Sequence, residues 1–222
     1  MKPDLGSSTK PRVTLRSAFA AFWRHPSPWM ICTTLAVTVA ARVLVGDWRW
    51  TDALVPAALV LAFPFVEWVI HVCILHWRPR RVAGLAIDSL LARKHREHHA
   101  DPRDVPLVFI PWQSLLLLLP ALVAVALFVF PRTGPGLTFL ASAAALGLVY
   151  EWMHYLIHSD YPPRSAPYTS VRRSHRLHHY RNEHYWFTVT TTGTADRVLG
   201  TYPDPATVET SATAKDLHGT DS

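Results

Sequence analysis

Ten of the chain's thirteen histidines fall into four clusters: His71 and His76; His95, His98 and His99; His154 and His158; and His175, His178 and His179. Neutral imidazole is the commonest protein ligand for iron, zinc and copper. One ion takes about four to six ligands, so ten clustered rings imply two metals sharing a cage. A dinuclear, all-nitrogen site suits oxygen chemistry.

The clusters repeat in order. Glu67, Trp68, His71 and His76 are followed 19 positions on by His95-Arg-Glu-His98-His99, and Glu151, Trp152, His154 and His158 are followed 17 positions on by His175-Arg-Leu-His178-His179. On a helix, positions i and i+4 differ by about 40° and i and i+3 by about 60°, so His154 and His158 point together, as do His95, His98 and His99. His71 and His76, five apart, lie about 140° apart on a regular helix and need a π-bulge, a helix end or ligation from two sides. Pro79 follows closely, so the helix is expected to loosen near His76.

The elements that must position these rings are apolar. At 222 residues the chain is 50% hydrophobic, with long uncharged runs that point to the membrane class, although the mean hydropathy is only +0.12 because polar connections dilute it. Four spans emerge, at about 29–45, 53–71, 111–130 and 137–157, each near the roughly 20 residues a crossing helix needs. The first is the shortest and carries Arg42, expected to snorkel toward the nearby surface; its alternative is a helix lying in the interface. The expected fold is an all-α integral membrane protein, with a cytoplasmic helical cap over the metal site.

Basic residues orient it. Lys2, Lys10, Arg12, Arg16 and Arg24 precede the first span, seven Lys or Arg occupy 77–105 and seven follow His158, whereas the turns 46–52 and 131–136 hold one each. The positive-inside rule then puts both termini and the 77–105 loop in the cytoplasm, as in a bacterial-type cytoplasmic membrane. All four clusters fall on that side, though they were not used to choose it. The net charge of +6 fits anionic headgroups better than nucleic acid, since no basic helix is interleaved with reading aromatics. Trp29, Trp48, Trp50, Trp77 and Trp112 suit an interfacial belt. The polar start lacks the pattern of a cleaved secretory signal. Cys32 and Cys73 are too few for a disulfide framework and are expected as reduced core residues. The ends, 1–14 and 203–222, are expected to be disordered around a membrane-embedded domain at 15–202. His25 and His218 are expected in solvent, while His184 is either a spare ligand, a substrate-facing donor or a packing residue.

With clusters and topology in place, the chain resembles the membrane fatty acid hydroxylase and sterol desaturase superfamily. His76-Trp-Arg-Pro79 looks like that family's H-x-x-P exit from the second span, and His95-Arg-Glu-His98-His99-Ala-Asp-Pro102 like its HxxHH-x-x-P stretch. His178-His179-Tyr-Arg-Asn182, Phe187-Thr-Val-Thr190 and Asp196-Arg-Val-Leu-Gly-Thr201 are similar to its carboxyl-terminal signature. The likeness covers about 55–202, and the box spacing resembles that of the fatty-acid 2-hydroxylase branch. Thr188 stands where the family has glycine, and Ala195 where it has an aromatic residue.

The resemblance implies two iron ions, with zinc possible as isolated, dioxygen as co-substrate and two electrons from a separate redox protein, since no electron-carrier domain is visible. One oxygen atom enters a membrane lipid and the other leaves as water. Sterol- or carotenoid-type hydroxylation and desaturation share the metal site, and the sequence leaves hydroxylase against desaturase open. Glu67 and Glu151 are candidates to orient imidazoles or manage protons; the bland alternative is an ion pair with a nearby arginine. Tyr168, Arg172 and Arg173 are candidate headgroup contacts, against ordinary positive-inside charge. A metal transporter would favour ligands near the bilayer midplane rather than at one face. A catalytically silent relative is the remaining rival.

Overall fold

A computed structural model describes residues 13–218, so the disorder expected for 1–12 and 219–222 lies outside the described residues. Helix α1 (Leu15–Phe22) starts at Thr14, which exchanges hydrogen bonds with Ser17, and it buries Ala18 and Phe22. Four helical segments are long and apolar enough to cross a membrane: Pro26–Val45, Trp50–Leu75, Val105–Val129 and Thr133–His158. Each contains or extends a span expected from hydropathy. They comprise α2 (Pro26–Val45), α3 (Leu54–Ile70) with a one-turn 3-10 lead and a π-turn at His71–Leu75, α5 (Val105–Val108) running into α6 (Trp112–Val129), and α7 (Thr133–His158). Two short strands, β1 (Arg80–Val82) and β2 (Leu85–Ile87), pair antiparallel between the second and third spans, a small departure from an all-helical fold. Helix α4 (Leu90–Ala100) follows them, and α8 (Ala166–Tyr180) and α9 (Thr194–Val198) follow α7.

The long helix α7 is the centre of the bundle, touching α2, α3 and α6. Small residues let its neighbours approach: a Cβ at Gly136 would lie 2.9 Å from the Ala126 carbonyl oxygen of α6. Ile31, Leu115 and Ala144 form the buried contact between α2, α6 and α7. The outward faces are apolar too, with Leu44, Leu61, Leu117 and Phe128 between 75% and 89% exposed. In water that surface would drive aggregation; against lipid it is the ordinary exterior of a spanning helix.

Arg42 does not snorkel. It is 3% exposed, with its guanidinium 2.8 Å from Asp52 and 3.0 Å from Thr138 Oγ1, bonded to the Gly46 carbonyl and stacked on Trp48 at 3.5 Å. A second arginine, Arg132, reaches Asp52 at 2.5 Å and Asp47 at 2.7 Å. Cys73 is exposed on the outer face and not in the core, and Cys32 is half-buried. The largest correction concerns the carboxyl end. Over 203–218 the chain is ordered against the body, with Val208, Ala214 and Leu217 buried, because the Ser211 amide and the Val208, Glu209 and Ala214 carbonyls are taken up by Arg181, Asn182 and His99, and the His218 ring meets the His76 carbonyl.

Candidate metal centre

The ten histidines of the four clusters meet in space, and they divide into two groups. In each group five imidazoles offer nitrogens that all lie within 4.8 Å of one another: His71, His76, His95, His99 and His178 in the first, and His98, His154, His158, His175 and His179 in the second. Both groups draw on both halves of the sequence, so neither half forms a site alone. The i+5 spacing is met as its geometry required: the π-turn bonds the His76 amide to the His71 carbonyl at 3.0 Å and turns both rings into the same group. Helix α4 supplies His95 and His99 to the first group and His98 to the second, while α8 supplies His178 to the first and His175 and His179 to the second.

Proton accounting shows that the first group fits a cation. A carbonyl oxygen can only accept, so His71 Nδ1, 2.6 Å from the Phe187 oxygen, carries its ring's proton, as do His99 Nδ1 at 2.9 Å from Ala214 and His178 Nδ1 at 2.8 Å from Tyr185. Their Nε2 atoms are therefore bare lone pairs. Yet His178 Nε2 lies 3.2 Å from His99 Nε2, and His95 Nε2 lies 3.1 Å from His71 Nε2 and 3.2 Å from His99 Nε2. One proton on His95 would satisfy at most one of these contacts. Converging lone pairs with no hydrogen between them repel unless a cation sits among them. The separations suit one, because neighbouring ligands at right angles around a metal with bonds of about 2.1 Å lie about 3.0 Å apart. In the second group His154 Nδ1 is fixed by the Val108 carbonyl at 2.8 Å, and its buried Nε2 has no protein partner. His158 Nε2 lies 3.2 Å from His98 Nε2 and 3.0 Å from His175 Nε2.

Burial keeps the rings neutral. Desolvation, then repulsion from neighbouring rings, holds His95, His98, His175, His178 and His179 well below the ordinary imidazole pKa. Burial takes His99 down to about 4, its bond to Ala214 acting the other way. Neutral rings are the form that binds metal.

The carboxylates do not touch the imidazoles. Glu67 and Glu151, the candidates to orient imidazoles or manage protons, each hold backbone. Glu67 Oε1 accepts from the Val189 and Thr190 amides at 2.5 and 3.2 Å, and its Oε2 accepts from Thr190 Oγ1 at 2.6 Å. Glu151 accepts from the Ile110 amide at 2.8 Å and from Ser27 Oγ at 3.2 Å. These bonds fix the segments whose carbonyls, Phe187 and Val108, pin His71 and His154. Among the described residues, neither glutamate makes the ion pair with arginine offered as the alternative. Two further acids matter more than the sequence suggested. Asp196 accepts from the Phe187 and Thr188 amides, Thr188 Oγ1 and Thr201 Oγ1 at 2.5 to 3.0 Å. The hydroxyl of Thr188, the departure from glycine, is thus spent on Asp196, and Ala195 is fully buried. Glu183, 2% exposed, accepts from Ser211 and Thr213 hydroxyls. Asp196 stands in the carboxyl-terminal signature, where a turn or cap former is the simpler reading, whereas Glu183 gives no periodic or cluster signal and is revealed by the two hydroxyls it gathers.

The remaining candidates separate. Tyr168 spends its hydroxyl on the Leu156 carbonyl at 2.8 Å, which makes it a packing residue here. Arg172 is half-buried with its Nε bare, and Arg173 is exposed. His184 is exposed, 3.5 Å from Glu183, and joins neither histidine group. His25 stacks on Phe109 at 4.0 Å and His218 bonds the His76 carbonyl at 3.0 Å, so neither is simply solvated. Beside the rings, a small pocket lined by Leu75, Leu107, Phe109 and Tyr150 reaches His95 of the first group and His154 of the second.

Comparison with known proteins agrees with this chemistry. The family model described as fatty acid hydroxylase matches residues 56–201. Two dihydroceramide fatty acyl 2-hydroxylases of Arabidopsis thaliana are similar: FAH1 is 30% identical over 86% of this chain and 75% of its own length, and FAH2 is 25% identical over 82% and 73%. A fatty acid 2-hydroxylase of Mus musculus is 29% identical over 60% of this chain, which covers 35% of the mouse protein. No solved structure matches the chain.

Proposed function

The chain belongs to the fatty acid hydroxylase family, as an oxidoreductase and an integral membrane protein, and we propose that it inserts one oxygen atom at the carbon beside the carbonyl of a fatty-acyl lipid, using two iron ions. The observation that carries this reading is the pair of five-imidazole groups, in the first of which lone pairs converge without protons. Iron bound there would supply the reductive activation of dioxygen that hydroxylation of an unactivated C–H bond requires. The relatives named as acyl 2-hydroxylases favour the position next to the carbonyl.

The protein's own contribution is positional. Backbone carbonyls set the ring tautomers, and near-complete burial keeps bulk water from the site. Oxidation at the second carbon requires the lipid's polar end to stop within a few bonds of the centre. The small apolar pocket of Leu75, Leu107, Phe109 and Tyr150 beside His95 and His154 marks where the reacting end of the acyl chain would approach, while Arg172 and Arg173 receive the headgroup. Both termini and the histidine groups face the cytoplasm, by the charge asymmetry of the loops, and a separate redox protein delivers electrons there.

Lipid mass spectrometry of cells making the full chain tests this reading, against a His178→Ala plus His179→Ala control. The expected result is a lipid heavier by one oxygen, labelled from ¹⁸O₂ and absent from the control, with fragmentation placing the hydroxyl on the second acyl carbon. A product lighter by two hydrogens would make the enzyme a desaturase instead.

A further inference from the structure

The family match ends at residue 201, yet the chain beyond it reaches back to the metal centre. Residues 203–218 cross the turn after α8: Arg181 Nε donates to the Val208 carbonyl at 2.7 Å, and the Ser211 amide donates to the Arg181 carbonyl at 2.7 Å. Glu183 then gathers the Ser211 and Thr213 hydroxyls at 3.0 and 2.5 Å. That grip presents the Ala214 carbonyl to His99 Nδ1 at 2.9 Å, and three residues on Leu217 is buried before His218 meets the His76 carbonyl. Both anchored histidines, His76 and His99, belong to the first group. Among the described residues, no hydrogen bond from this segment reaches a ring of the second.

We propose that residues 203–218 are a strap that completes one of the two metal sites, with Glu183 as its positioning residue. The inference rests on the metal-centre reading above. Ala214 fixes His99 in the tautomer whose Nε2 faces the ion, a role that a backbone carbonyl performs only when its own segment is held, and Glu183 holds it. Partners that orient a metal-bound imidazole are typically worth about 10–100-fold in metal affinity. The strap therefore acts on one ion and leaves the other alone.

The full-length chain, loaded with zinc as the probe metal and titrated with a chelator, tests this. Two variants weaken the strap independently, Glu183→Ala and the double change Ser211→Ala with Thr213→Val, and circular dichroism with size-exclusion chromatography reports whether each is folded. In both, one zinc per chain should leave at a chelator concentration about 10–100-fold lower than in the unaltered protein, while the second leaves where it did. Equal weakening of both ions, or of neither, overturns the strap. An unaltered chain that fails to hold two zinc ions overturns the metal centre itself, which keeps the two failures apart.

Discussion

At the scale of single residues, the rings are set by backbone carbonyls, and the acids act one step further out by holding the segments that carry those carbonyls. This separates two roles open to Glu67. If its carboxylate moved protons, an amide would abolish activity; if it only accepts hydrogen bonds, an amide should serve. A glutamine at 67 can keep its oxygen on the Val189 and Thr190 amides and turn its NH2 to Thr190 Oγ1, a hydroxyl able to accept. Glu67→Gln is therefore expected to retain metal and activity within a few-fold. Asp196 has no such latitude, because each of its oxygens accepts from a backbone amide and a hydroxyl. In Asp196→Asn an NH2 must face an amide N–H whichever way it is turned, and each buried donor left unmet costs about 1–3 kcal/mol. That variant should lose most activity and melt earlier, as turnover assays and thermal scans in detergent would report. A reversal of this order would return Glu67 to a proton-carrying role.

At the scale of elements, what could be read in the sequence was whatever side chains encode. The five-residue step from His71 to His76 cannot place both rings together on an α-helix, and the chain resolves it with a π-turn. The spans were legible because runs of apolar residues have a length that only a membrane crossing uses. The anchors of His71, His99, His154 and His178 were not legible: a carbonyl acceptor has no residue type, so Phe187, Ala214, Val108 and Tyr185 carry no mark of their role. The order of 203–218 was hidden for the same reason, since its Ser, Thr and Asp residues resemble a solvated tail until Glu183 and Arg181 are found facing them. The π-turn itself is testable. Deleting Cys73, whose side chain faces outward, removes the extra residue and lets the segment relax to α-helix with the two histidines four apart, about 40° from one another. Both rings should then stay in the first group, and elemental analysis of the purified variant should still find two ions per chain, whereas an alanine inserted beside Cys73 should swing His76 about 100° away and leave one.

Across the whole molecule, polar chemistry sits at both ends of the bundle and almost nowhere between. The histidine groups close one end. At the other, Asp52 joins Arg42 of α2 to Arg132 at the start of α7, and a Cβ on Gly134 would lie 3.2 Å from the Arg42 guanidinium carbon, so the helices are clasped where they turn. The sequence hid this, because Arg42 near a span end fits a snorkelling side chain equally well and its partner lies ten residues on, across a turn. A buried guanidinium that loses its carboxylate keeps its desolvation penalty without the compensating attraction. Asp52→Asn should accordingly lower the thermal midpoint in detergent by several degrees. Arg132→Gln should lower it less, since Arg132 is 23% exposed and water can replace it. From Gly134 to His158 a straight helix rises about 36 Å, far beyond the range at which substitutions normally couple. The folded fraction of Asp52→Asn should therefore still carry two metal ions per chain. Loss of metal in step with loss of the clasp would mean that α7 transmits strain along its length, and that the two ends of the bundle are one cooperative unit rather than a site and a separate fastening.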